Sequence, residues 1–178
     1  MYDGLNRRPK LTSRIVNLNT AAPVPLPPHM APQGAALERY DPRVAMLGLQ
    51  LGAEKLGYNL IALPPGKRGF PFHSHRNNEE VFLVISGIGE VRLGDQRHPI
   101  GPGDLIAAPA GGPDTAHQIA NTGQVELRYL AISTRESPDV IEYPDTGKFR
   151  VLDIGRGGDN GFDAIRAPGD AADYWQGE

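Results

Sequence analysis

Histidine is sparse in this chain of 178 residues, with five in all, at positions 29, 73, 75, 98 and 117. Two of them, His73 and His75, stand one residue apart in the run PFHSHRNNEEVFLVISG. On a strand, alternate side chains project from one face, so imidazoles at i and i+2 point together. Each neutral ring offers a nitrogen lone pair, and two aimed at one point can grip a single cation. Arg76-Asn77-Asn78 then breaks the apolar pattern as a turn, and Glu79 and Glu80 open the next strand. Glu80 shares its parity with Phe82 and Val84, Glu79 with Val81, Leu83 and Ile85. Both faces are apolar, so periodicity leaves open which carboxylate joins the histidines. The competing reading is a pair of solvated or hydrogen-bonded histidines on a sheet.

The elements that must hold these residues are short strands. Gly 22 and Pro 17 make up about a fifth of the chain, roughly twice their usual share, and both are poor helix residues. From Gly57 to Ser133, apolar runs alternate with Gly, Pro, Asn and Asp punctuation. The pattern predicts strands over Tyr58–Leu63, Phe70–His75, Glu80–Ser86, Glu90–Leu93, Arg97–Ile100, Asp104–Ala107, Ala116–Ala120 and Glu126–Ser133. Eight such strands imply an all-β chain: an antiparallel barrel or jelly roll. Residues 21–34 carry five prolines and read as an extended arm. Arg14–Leu18 before it is a candidate edge strand, and the segment from Arg43 to Leu56 is ambiguous between strand and helix. The expected organisation is an N-terminal arm over 1–42, a barrel over 43–138 and a loop-rich extension over 139–178 packing on it.

A resemblance rests on these residues. His73-Ser74-His75, four residues, Glu80, six residues, Gly87 is similar to the first motif of the cupin superfamily. Gly103-Asp104 through Pro109-Ala110-Gly111, then His117 and Asn121, resemble its second motif. There are two departures. Lys67 stands where the glycine six places before His73 is expected. Five residues rather than two separate Gly111 from His117, which reads as a loop insertion. The resemblance implies that Glu80 is the carboxylate ligand and His117 the third imidazole, so that His73, His75, Glu80 and His117 hold one divalent metal ion. Three neutral nitrogens and one carboxylate suit Zn, Fe, Mn, Ni or Cu and leave positions open to water or substrate. Phe82 and Ile119, on the parity of Glu80 and His117, are expected to line the interior.

The implied function is that of a metal-binding enzyme on a small oxygenated organic molecule, a sugar derivative or keto acid, with isomerase- or lyase-type chemistry. A metal-dependent dioxygenase and a non-catalytic small-ligand binder are the alternatives. No general base can be named; Tyr58, Arg92 and Tyr129 are candidates by their place on the strands. Eighteen basic against 21 acidic residues give a net charge of −3, which argues against nucleic acid as partner. Without cysteine, thiolate metal sites and disulfides are excluded. No apolar run approaches a membrane span, and a cytoplasmic homodimer is expected, its proline arm lying over a partner's sheet edge. His29 and His98 are expected to be solvated and Glu79 a surface charge. The glycine loop from Gly155 to Gly161 is read as a flexible connection, and Tyr174-Trp175 as a docking patch.

Overall fold

The computed structural model describes residues 14–155, 161–170, 173, 175 and 177. Thirteen strands occur among them. Two short ones come first, β1 (Val24–Pro25) and β2 (Arg43–Ala45), followed by one helical turn, α1 (Leu47–Gln50). The body consists of β3 (Leu56–Leu63), β4 (Ser74–His75), β5 (Glu80–Ser86), β6 (Gly89–Leu93), β7 (Gln96–Ile100), β8 (Leu105–Ala108), β9 (His117–Ala120) and β10 (Leu127–Thr134). Three more follow: β11 (Asp139–Tyr143), β12 (Lys148–Asp153) and β13 (Phe162–Arg166).

All strand pairings between these elements are antiparallel. One sheet runs β1-β2-β3-β10-β5-β8, a second β13-β12-β11-β4 and a third β7-β6-β9. The six-stranded sheet and the β7-β6-β9 sheet enclose the core. Ile61, Leu63, Phe82, Val84, Leu127 and Tyr129 from the first pack with Val91, Ile100 and Ile119 from the other. On β5 the even-numbered residues Phe82 and Val84 are buried, so the parity that the sequence left open places Glu80, not Glu79, on the inner face. A bridge between His73 and His117 joins the β4 side to β9.

Several expectations are corrected. The strand predicted over Phe70–His75 is confined to Ser74–His75, because Pro71 has no amide hydrogen to donate to a ladder. Arg14–Leu18 forms no strand. The stretch from 139 onward holds three strands where loops were expected: Val140 and Ile141 pair against Val151 and Arg150, and Val151 in turn pairs with Ala164. Charged residues at most alternate positions hid that ladder from an apolar count. The proline arm is extended as expected, but Val24 pairs with Val44 of its own chain and covers its own sheet edge. Most of the glycine loop, residues 156–160, and Tyr174 lie outside the described residues; Trp175 is exposed. No helix among the described residues is long and apolar enough to cross a membrane.

Candidate metal centre

Each residue of the centre is delivered by a different local device. His73 and His75 flank the buried Ser74 and turn inward together. Glu80 opens β5, held by Asn78 just before it. The Asn78 side-chain oxygen accepts from Thr134 Oγ1 at 2.9 Å and from the Glu136 amide at 2.6 Å, tying this corner to the end of β10. His117 opens β9 after the inserted residues. The insertion coils into a single 3₁₀ turn, Pro113–Thr115, and delivers the chain back in register. His117 N–H donates to the His73 carbonyl at 2.8 Å, and His73 N–H to that of His117 at 3.2 Å. Gly111 makes room for this turn, since a Cβ there would lie 2.6 Å from a Thr115 side-chain carbon. Gly87 closes the first motif at φ +80°, where a Cβ would sit 2.5 Å from the Glu126 carbonyl oxygen. Asn121 is structural. Its amide group donates to the carbonyls of Leu63 and Val125, both at 2.8 Å.

The donor atoms of His73, His75 and Glu80 all lie within 4.8 Å of one another. His117 stands outside that mutual set but reaches it through the carboxylate, with Nε2 2.9 Å from Glu80 Oε2. The same oxygen is 3.4 Å from His75 Nε2 and 3.8 Å from His73 Nε2. The ring centres of His73 and His117 are 4.6 Å apart. Two of the three imidazoles are fixed from behind. His73 Nδ1 lies 2.7 Å from the Pro71 carbonyl oxygen, which can only accept, so this nitrogen carries the hydrogen and Nε2 presents its lone pair. His75 Nδ1 faces Asp139 Oδ2 at 2.6 Å, and Asp139 Oδ1 accepts from the Asn77 amide at 3.0 Å. This carboxylate–histidine arrangement is the usual backing of a metal-bound imidazole. Sequence reading missed Asp139, for nothing in the local pattern links it to a histidine 64 residues earlier.

The charges follow from this packing. Burial and the neighbouring His117 and His75 hold His73 down at about 4, against the pull of Glu80. Burial acts to lower His75 as well, but hydrogen bonds to the Asp139 and Glu80 carboxylates raise it to about 9. Burial opposes ionisation of Glu80, yet the facing His117 and His75 rings hold it well below the usual carboxylate range. His117 is buried, and neither of its ring nitrogens has a hydrogen-bond partner; its close approach to Glu80 is not aligned as one. A buried polar atom left without a partner calls for an explanation. A cation among the three rings and Glu80 would take the Nε2 lone pair, so the residues present fit a metal ion.

A cavity of about 390 Å³ opens beside the cluster. His73, Glu80 and His117 lie at its wall, as do Phe82 and Ile119. Tyr129 also lines it, packed edge-on to Phe82, and burial together with the Glu80 charge raises its phenol, which remains protonated at neutral pH. Tyr58 contributes to the lining too. Arg92 does not: its guanidinium stacks 3.5 Å from the Phe72 ring centre and pairs with both Asp145 oxygens at 2.9 Å. His29, His98 and Glu79 are exposed.

The family pattern described as the cupin domain matches residues 59–133. The chain contains a cupin domain. Among solved structures, a candidate sugar phosphate isomerase from Acidithiobacillus ferrooxidans is 30% identical, with a TM-score of 0.65, covering 74% of this chain and 80% of that one. A sugar phosphate isomerase of the cupin superfamily from Silicibacter pomeroyi has a TM-score of 0.70 over 86% of this chain and 92% of its own. At 24% identity, that likeness is one of fold. An oxalate-binding protein from Thermotoga maritima is 31% identical over 72 residues, 40% of this chain and 56% of that protein. The chain spans 50% to 62% of the length of the curated relatives it matches.

Proposed function

We propose that this cupin domain is a metal-dependent enzyme acting on a small oxygenated organic molecule, with isomerase- or lyase-type chemistry. His73, His75, Glu80 and His117 would hold one divalent ion. The observation that carries the reading is the convergence of three imidazoles on one carboxylate oxygen, with the nitrogens of buried His117 otherwise unpartnered. A bound ion would supply a Lewis acid for a substrate oxygen. The protein's own contributions are separate: Asp139 orients His75, Pro71 orients His73, and Phe82 and Ile119 keep water from the inner wall. Tyr129, held protonated, is a hydrogen-bond donor to the cavity rather than a base. The candidate isomerase from Acidithiobacillus ferrooxidans lends support to the reaction type. We propose in addition that the protein is a homodimer.

One observation favours the second reading, a metal-dependent dioxygenase. Outside the cluster, no carboxylate or histidine lines the cavity among the described residues, and an isomerase needs a base to move its proton. Metal-loaded protein assayed against sugar phosphates, keto acids and catechols separates the readings. Isomerised or cleaved product without oxygen uptake supports the first, and oxygen consumption the second. Tight binding with no product would reduce the protein to a ligand carrier.

A further inference from the structure

The wall of the cavity restricts what it can hold. Beyond the cluster its lining includes Leu26 and Met30 of the arm, Met46 and Leu49 around α1, Leu56 of β3 and Phe70, with Met30, Met46, Leu49 and Leu56 forming an exposed apolar rim. A sugar or sugar phosphate bears a hydroxyl on nearly every carbon, and each one buried without a partner weakens binding. Few partners are on offer. The Gln118 amide nitrogen is already committed to the Phe70 carbonyl at 2.7 Å, which leaves the Gln118 side-chain oxygen, Asn59 and the two tyrosine hydroxyls as neutral polar groups.

The same cavity contains a single cationic residue among those lining it, Arg135. It follows Ser133 by two positions, and Ser133 is the register partner of Glu80 across β10 and β5. Arg135 therefore sits on the inner parity, one pleat or roughly 7 Å beyond the carboxylate. Its guanidinium makes one hydrogen bond, Nη1 to the Ala53 carbonyl at 3.3 Å. Arg43, Arg76, Arg92, Arg97 and Arg150 each lie beside a carboxylate. No such pair occurs at Arg135 among the described residues, nor at Arg39, Arg68, Arg128 or Arg166, but of these only Arg135 lines the cavity. A half-buried guanidinium on the lining of a largely apolar cavity, with no carboxylate beside it, can take an anionic group of a ligand as its partner.

We propose that the ligand of this cavity is an organic acid with an apolar body, a branched-alkyl or aryl 2-oxo acid, whose carboxylate pairs with Arg135. The inference rests on the metal-centre reading above, since the 2-oxo oxygen is directed at the cluster while the apolar body lies against Leu26, Met30, Met46 and Phe70. It departs from what the sugar phosphate neighbours would lead one to try first.

The test is calorimetric titration of Co(II)-loaded full-length protein with 4-methyl-2-oxopentanoate, phenylpyruvate and glucose 6-phosphate, with the Co(II) absorption band followed in parallel. Both oxo acids should bind and perturb the band, and glucose 6-phosphate should produce no heat at the same concentration. Arg135→Gln should weaken the acids at least tenfold and leave the band of the ligand-free protein unchanged, while Arg135→Lys should recover part of the loss. Preferential binding of glucose 6-phosphate, equal binding by wild type and Arg135→Gln, equal loss in both variants, or a normal band with no response to either acid would overturn this proposal alone. Failure of wild type to develop a Co(II) band would overturn the metal-centre reading and this inference with it.

Discussion

At the scale of single residues, the centre is governed as much by what stands behind the imidazoles as by the imidazoles themselves. Asp139 aligns the His75 ring and sets its tautomer. Asp139→Asn keeps the shape but loses the charge, and metal affinity should fall about 10- to 100-fold, measured by competition with a chromophoric chelator. An unchanged affinity would make Asp139 a buried tie between β11 and the β4 corner and nothing more. The charges of the metal-free centre are equally testable. His73 at about 4 and His75 at about 9 bracket the ordinary value of 6.5 from opposite sides. The lowered His73 contributes stability that is present above pH 6.5 and lost as pH falls through 4. The raised His75 contributes stability that is complete below pH 6.5 and lost as pH rises through 9. Ring resonances of the metal-free protein should therefore titrate with widely separated midpoints, His73 in acid and His75 in mild alkali. Two coincident midpoints near 6.5 would contradict the packing described. His73 and His75 were visible in the sequence because their spacing is a local alternation, whereas Glu80 was separated from Glu79 only by the cupin resemblance, both faces of its strand being apolar. Asp139 was invisible because only the tertiary pairing of β11 with β4 brings it to His75.

At the scale of elements, most barrel strands were legible to within two residues, helped where a short apolar run such as β3, β5 or β8 is closed by glycine or proline. Glu80–Ser86 is the clearest case. The strands β11–β13 were missed for the opposite reason. Lys148, Arg150, Asp153, Asp163 and Arg166 occupy a ladder that is only half buried, and the Arg150–Asp163 pair, 2.6 Å apart, stands where an apolar contact would have announced a strand. The five-residue spacer before His117 could be read as an insertion, but not as the 3₁₀ turn that returns the histidine to His73. The arm is the element whose role changes most. Because β1 pairs with β2 of its own chain and Leu26 and Met30 wall the cavity, deletion of residues 1–40 should open both a sheet edge and the ligand chamber. A lowered melting temperature and increased association in light scattering are expected. A truncated chain that melts and scatters like the full one would show that the arm is dispensable.

At the scale of the whole molecule, the antiparallel shell does what no local motif can: it brings a strand pair at residues 73–80 and a third histidine some forty residues later to one oxygen atom. Fold alone does not fix a reaction, so the proposed activity depends on a cation being held at that convergence. The direct measurement is the metal content of untagged protein purified without chelator, taken beside the His75→Ala variant. About one equivalent of a divalent transition metal in the wild type, falling by most of its value in His75→Ala while the variant remains folded, is the predicted result. Metal-free wild-type protein that takes up no ion on reconstitution, or a His75→Ala variant retaining a full equivalent, would contradict it.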